Sequence, residues 1–243
     1  MEKNIIYEDE AILVVYKPAG IATQTARLGQ QDMVSELKNY LAKKPEYSGK
    51  KEPYLGVVHR LDQPVCGMLV FAKTKQAAAE LSRQITGGKI QKYYYAVICG
   101  RPKARQGRLE DYIYKDAKTN LSSIVEKDFP NAQKAALEYK LVKSLIPLEE
   151  NIEPGEISLI EIKLVTGRHH QIRVQFSHQG MPLLGDSKYG NDKSKKLSCE
   201  IKCRNVALCA YKLVLYHPVT QKKIVFERIP KEEIFCPFFT RNF

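Results

Sequence analysis

Two short segments hold most of the residues able to do chemistry. His59-Arg60-Leu61-Asp62 follows the apolar run Leu55–Val58. An arginine and an aspartate two residues apart on one loop can both reach a cleft, the arrangement of an ionised carboxylate poised beside a bound substrate. The same four residues also suit a turn closed by a structural ion pair. The second segment is Gly167-Arg168-His169-His170-Gln171-Ile172-Arg173. A helix opened by these residues after a glycine can aim backbone N–H groups and guanidinium groups at one anion. It suits equally a helix start whose polar groups stay in solvent. Metal ligation fits poorly: His169 and His170 would point about 100° apart on a helix. Neither they nor His178 has a histidine or carboxylate partner at ligand spacing.

The elements that must carry these segments are mostly strands. Ile5–Tyr7 and Ile12–Tyr16 read as two short strands around the turn Glu8-Asp9-Glu10, and Lys17-Pro18-Ala19-Gly20 ends the second. Met33, Leu37 and Leu41 recur every four residues, which predicts an amphipathic helix from Asp32 to about Lys43; Lys43–Lys51 is a polar loop. Leu55–Val58 and Met68–Ala72 read as strands. Thr74 caps a helix with Ala77, Leu81 and Ile85 on one face, stopped by Gly87-Gly88. Tyr93–Cys99, Ala136–Leu145, Ile157–Val165, Val206–Tyr216 and Lys223–Glu227 are predicted strands. An acidic loop with Pro147, Pro154 and Gly155 separates the second and third of these. Gly100–Gln133 is polar and resists assignment. His169 to about His178 is predicted helical, with Ile172 and Phe176 one turn apart and Gly180 as the C-cap. The Lys-rich stretch Lys188–Arg204 reads as an exposed loop. Strands joined by loops rather than by regular crossover helices indicate an α+β class with a mixed, largely antiparallel central sheet and flanking helices.

A chain of 243 residues with 44% hydrophobic composition can bury a sizeable core. The longest apolar runs are far shorter than a membrane span, and the N-terminus lacks the apolar block of a signal peptide, so a cytoplasmic location is expected. Lysine and arginine number 39 against 27 acidic residues, a net charge of +12. A basic face displaces counterions from a polyanion and so favours phosphate binding, although charge alone does not choose between RNA, DNA and acidic lipid. No amphipathic basic helix supports the lipid surface. The cysteines Cys66, Cys99, Cys199, Cys203, Cys209 and Cys236 are scattered, which suggests a reducing compartment. Cys199, Cys203 and Cys209 cluster without Cys-x-x-Cys spacing, so buried free thiols are expected there and no metal site.

Taken together, the motifs resemble those of the RluA-type pseudouridine synthases. That family's central motif, His-Arg-Leu-Asp-x-x-(Thr-Ser)-Gly ending in Ala-Lys, appears as His59 to Gly67 and Ala72-Lys73. Its Lys-x-Tyr-x-Ala strand appears as Lys92-Tyr93-Tyr94-Tyr95-Ala96, ending at Gly100. Its late motif Gly-Arg-x-His-Gln-Ile-Arg appears as Gly167–Arg173, followed by Gly180-Met181-Pro182 and Gly185-Asp186-Ser187-Lys188-Tyr189-Gly190. Lys17-Pro18-Ala19-Gly20 is similar to its early Lys-Pro-x-Gly. Order and spacing agree from about Ile5 to Pro230, so the joint match is specific although each piece alone is not. Val65-Cys66 stand where Thr-Ser is usual, and Gln175 where a histidine often follows.

The resemblance implies the pseudouridine synthase fold with a catalytic cleft, and isomerisation of particular uridines in structured transfer or ribosomal RNA. The N1–C1′ bond breaks, uracil rotates, and C5 joins C1′. Atoms and electrons are conserved, so no cofactor, nucleotide or metal is required. By resemblance Asp62 is the carboxylate facing C1′, where it stabilises charge, adds covalently or removes a sugar proton. Arg173 keeps it ionised and oriented, and Tyr94 stacks on the base and serves proton transfer at C5. The target nucleotide must be flipped out of its stack, with Arg60 filling the gap or gripping flanking phosphates. Lys17, His59, Arg168, His170 and Gln171 are the other expected RNA contacts. A single catalytic domain over 1–243, without a separate N-terminal RNA-binding module, and a monomeric state are expected. Two rival readings use the same cleft: an RNA-folding factor without catalysis, and a hydrolytic N-glycosidase that would release free uracil.

Overall fold

The computed structural model describes residues 2–25, 29–47, 52–146 and 155–239. In chain order the elements are β1 (Ile5–Glu8), β2 (Ile12–Lys17), α1 (Met33–Ala42), β3 (Gly56–Val57), β4 (Cys66–Ala72) and α2 (Lys75–Thr86). Next come β5 (Gln91–Cys99), β6 (Gln106–Asp116), β7 (Leu121–Val125), β8 (Gln133–Leu145) and β9 (Ile157–Leu164). They are followed by α3 (Gln171–His178), α4 (Asp192–Glu200), β10 (Leu208–Tyr216), β11 (Lys223–Glu227) and α5 (Cys236–Phe239). The class is α+β, with a mixed, largely antiparallel sheet, as the strand-rich sequence indicates. Among the described residues no helix is long and apolar enough to cross a membrane.

The chain condenses into two compact units. The first comprises Met1–Lys92 and Ala210–Arg228. Its strands run in the order β1-β2-β4-β10, with β3 paired to β4 and β11 to β10. Every residue of β2 and of β4 is buried, which explains why both read as unbroken apolar runs rather than alternating ones. They pair antiparallel from Ile12↔Ala72 to Lys17↔Gly67. Helix α2 begins where the Thr74 side chain accepts from the Ala77 N–H at 3.1 Å, and it lays Ala77 and Leu81 on a core of Ile12, Val14, Met68, Val70, Leu213 and Phe226. Each large side chain buried there contributes roughly 1.5–3 kcal/mol. Helix α1 starts the same way, with Asp32 accepting from Ser35 N–H at 2.8 Å.

The second unit comprises Tyr93–Cys209 and Ile229–Phe243. Its strand order is β5-β9-β8-β6-β7, with β8 antiparallel to both β6 and β9. Three of its elements escape the sequence reading. The unassigned stretch 100–133 holds β6 and β7, a hairpin turned through Asn120 at φ 53. Along β6 only Ile113 is fully buried and charged residues fill the outer positions, so no hydrophobic alternation marks it. The stretch expected as an exposed loop, Lys188–Arg204, contains helix α4. Asn191 caps it by accepting from Ser194 N–H at 2.8 Å. Its buried side is Ser194, Leu197 and Ser198, a face too polar to register as amphipathic. Helix α3 starts two residues later than expected, because His170 adopts the left-handed conformation (φ 54) just before it. The expected strand Leu55–Val58 shortens to the two residues of β3. The polar loop after α1 includes one turn of 3-10 helix, Pro45–Tyr47. Residues 48–51 of that loop, and 147–154 of the acidic loop, lie outside the described residues.

Gly67, the second residue of β4, has φ +124, and a Cβ there would sit 2.4 Å from the Ala210 backbone nitrogen. Both the backbone angle and the space require glycine. Gly67→Ala is expected to destabilise the protein by on the order of 3 kcal/mol. Chemical denaturation measures it, and a midpoint equal to wild type would contradict the close packing.

Candidate active site

Asp62 opens a turn closed by a hydrogen bond from Val65 N–H to its own carbonyl at 3.0 Å. Its half-buried side chain stands just ahead of β4. The turn is gripped on both sides of Asp62 by the loop that follows β2. On one side, the Thr23 hydroxyl donates to the Leu61 carbonyl at 2.9 Å and accepts from Leu61 N–H at 3.2 Å. On the other, the Gln63 carbonyl accepts from Gly20 N–H at 2.9 Å and from the Lys17 ammonium at 3.1 Å. The Gln63 amide returns a bond to the Gly20 carbonyl at 3.0 Å.

Lys17, expected at the RNA by resemblance, is instead turned inward. Its side chain is 0% exposed, and its ammonium also donates to the carbonyls of Pro18 at 2.9 Å and Ile21 at 2.7 Å. Burial lowers its pKa to about 8, against the opposing pull of Cys66 and Asp62, which favour the charged form. His59 is also turned inward. Its Nε2 accepts from Val70 N–H at 3.2 Å. Burial and the nearby charge of Lys92 push its pKa down to about 3, so it is a neutral imidazole near pH 7 and supplies no cation. Arg60, the residue after His59, is exposed.

In the second unit the late motif forms the start of α3. The Arg173 side chain is 3% exposed. Asp186 clasps one edge of its guanidinium, with Nε to Oδ2 at 2.7 Å and Nη2 to Oδ1 at 2.8 Å. The planar fork is thereby fixed by a bidentate pair. Asp186 is fixed in turn, because its Oδ1 also accepts from the N–H groups of Lys188 at 3.0 Å and Tyr189 at 3.1 Å. Tyr189 lies under the Arg173 guanidinium, 5.1 Å from ring centroid to Cζ. Its hydroxyl meets His170 Nδ1 at 2.7 Å and accepts from Ser122 N–H at 2.8 Å. The His169 and His170 rings stack 3.7 Å apart. These contacts place His170 inside a polar network at the head of α3.

Gln171, expected at the RNA, is buried and internal. Its Oε1 accepts from the Thr166 hydroxyl at 2.7 Å and Arg168 N–H at 3.0 Å, and its Nε2 donates to the Ala136 carbonyl at 3.0 Å. Arg168 is exposed, with Nε bonded to the Lys134 carbonyl at 3.0 Å. Gln175, one of the two departures from the family pattern, is fully buried and donates to Asp111 at 2.6 Å. The other departure, Val65-Cys66, fills buried apolar positions leading into β4. Tyr94 lies on β5 and is 6% exposed. Its neighbours Tyr93 and Tyr95 belong to the opposite face of the strand, where Tyr95 packs edge-on against Phe239 at 5.1 Å. Of the clustered cysteines expected to be buried, Cys209 is, Cys203 is half-buried and Cys199 is exposed. Burial raises the Cys203 thiol to about 11.

Reasoning from residue types missed Asp186, Thr23 and Tyr189. Asp186 and Tyr189 sit in a quoted motif, and an acid held at fixed distance from a motif arginine is the signal that marks such a pair. Thr23 lies in no motif, and only the folded loop reveals it.

Residues 11–178 match the family model described as RNA pseudouridylate synthase. The chain is 35% identical over 229 residues to an uncharacterised RNA pseudouridine synthase of Aquifex aeolicus, covering 92% of this chain and 68% of that protein. It is 34% identical over 229 residues to a ribosomal large subunit pseudouridine synthase D of Zymomonas mobilis, with the same coverages. Against a ribosomal large subunit pseudouridine synthase C of Rickettsia bellii it is 34% identical, covering 78% of this chain and 57% of that one. The fold is shared with human RNA Pseudouridylate Synthase Domain Containing 4 at a TM-score of 0.71 and 24% identity, covering 95% and 90% of the two chains. The chain belongs to the RNA pseudouridylate synthase family, in its RluA-type branch, and is an enzyme that isomerises uridine in RNA to pseudouridine.

Proposed function

We propose that Asp62 is the catalytic carboxylate and that 1–243 acts as one catalytic domain on structured RNA. The observation that carries this reading is the two-sided clamp on the Asp62 turn. A side chain whose neighbours are held by Thr23, Gly20 and Lys17 presents its carboxylate in one orientation without reorganising during the reaction, which is what a catalytic group requires. In this role the carboxylate faces C1′ of the target nucleotide, which turns electron-poor as the N1–C1′ bond breaks. Arg173, its guanidinium fixed by Asp186, orients the Asp62 carboxylate through its planar fork. Tyr94 supplies the ring against which uracil stacks and the hydroxyl for proton transfer at C5.

A uridine within an RNA stack exposes none of these atoms, so the nucleotide must swing out. Arg60 is exposed one residue past His59 and takes the vacated space or a flanking phosphate. Arg168 is the second exposed arginine suited to the RNA backbone, and His170 orders the head of α3 beside it. Relatives named for the large ribosomal subunit favour ribosomal RNA over transfer RNA as substrate. The enzyme works as a cytoplasmic monomer.

Three measurements test this reading. Asp62→Asn should lower turnover by at least about 10³-fold, the order expected on removing a catalytic carboxylate, while RNA binding survives; pseudouridine formation near the wild-type rate would exclude the carboxylate mechanism. Arg173→Lys keeps a positive charge but loses the planar fork, and turnover should fall by roughly 10²-fold, in the range that one lost electrostatic contact costs. Near-normal turnover in that variant would count against the pairing. Arg60→Ala should slow the reaction on folded RNA more than on a short unstructured strand carrying the same uridine; equal losses on both would remove its part in flipping.

A further inference from the structure

Three lysines of the first unit are drawn inward, and they are not alike. The Lys17 ammonium ends in the carbonyls of Pro18, Ile21 and Gln63. Lys73, whose side chain is 7% exposed, pairs with Glu8 at 2.8 Å and donates to the Asp9 carbonyl at 2.6 Å. Lys92 is half-buried at the start of β5, yet among the described residues its ammonium has neither a hydrogen bond nor an ion pair. Burial shifts its pKa below the ordinary lysine range, and no acid opposes the shift. Its charge helps to keep His59 neutral.

An ammonium stripped of much of its water and given no partner is an unfavourable arrangement, and a fold retains one when something outside the fold completes it. The missing partner must be anionic and must offer several acceptor oxygens, since the ammonium has three donors. The position narrows the choice. Lys92 lies near His59, itself three residues before Asp62 in the chain, and Lys92 stands two residues before Tyr94 on the same face of β5. The molecule that visits this surface is RNA, which carries an anion at every nucleotide. We infer that Lys92 is a phosphate-binding residue for the RNA substrate, gripping one backbone phosphate near the target uridine. The inference rests on RNA being engaged at the face of Asp62. It assigns to the lysine of the Lys92-Tyr93-Tyr94 segment a role distinct from that of the caged Lys17.

The test uses Lys92→Met, which keeps the length of the side chain and removes its charge. Binding of a fluorescent synthetic hairpin RNA with a uridine-rich loop is measured by anisotropy across a salt series from ~50 to ~200 mM. Affinity should fall about tenfold at the low-salt end, and the slope of log K against log salt should shrink by roughly 0.7–0.9, the signature of one lost phosphate contact. The melting temperature should hold or rise, because a dehydrated charge has been removed. An unchanged slope overturns the inference, whatever the melting temperature does. As a second measurement that needs no variant, single phosphates flanking the target uridine are replaced by neutral methylphosphonates. One position should weaken binding to the wild type, and should weaken binding to Lys92→Met no further. No sensitive position in the wild type overturns the inference as well. Asp62→Asn should keep the full salt slope, so a failure of the carboxylate mechanism and a failure of the phosphate site give different results.

Discussion

Lys17 ends not in solvent but in three carbonyl oxygens, those of Pro18, Ile21 and Gln63. An ammonium removed from water loses several kcal/mol of hydration unless its donors are all met. Here three N–H groups meet three acceptors. The arrangement is therefore close to all-or-none: moving any one carbonyl leaves a buried charge short of a partner. One of those carbonyls belongs to the residue after Asp62, and the residue before Asp62 is bonded twice by Thr23. The rest of the first unit can be understood as what makes this cage possible. β2 delivers Lys17 at its buried end, β4 starts right after the turn, and their ladder closes on the pair Lys17↔Gly67.

The second unit applies the same physical device with opposite roles. The charge to be oriented is a guanidinium, and the internal anchor is a carboxylate. Asp186 spends both oxygens on Arg173 and is itself bonded by the N–H groups of Lys188 and Tyr189. In both units a motif residue that looks like a ligand contact fixes a loop from behind. Lys17, His59 and Gln171 are all of this kind, and the exposed Arg60 and Arg168 are not. The departures Val65, Cys66 and Gln175 lie in the interior as well, so they alter packing beneath the site rather than its surface.

The strands and helices whose burial follows a simple period were legible in the sequence. β2, β4, β5, α1 and α2 stand within a residue or two of the predicted limits, because each buries an apolar run or stripe. What stayed hidden obeys different physics. β6 and β7 form a ladder through backbone bonds while showing charged side chains to water, and α4 buries serines. The residues with chemical potential were legible as types and as motif members, but their orientation was not. Nothing in the letters distinguishes a lysine caged by carbonyls from one left without a partner. That difference arises from which loop folds back on which, and Thr23 and Asp186 act through such returns of the chain.

The serine-lined side of α4 has a consequence for how the protein ages under heat. Ser198 Oγ accepts from Gly185 N–H at 2.8 Å while donating to the Ser194 carbonyl at 2.5 Å. Gly185 is the residue before Asp186, so a short helix with one large apolar anchor, Leu197, braces the carboxylate that aligns Arg173. Helices with little buried apolar surface open locally well before a domain melts. Warming should thus disorganise the arginine's mount while the strands are still intact, and the enzyme's working temperature range would be bounded by the fraying of a surface helix rather than by the stability of its core.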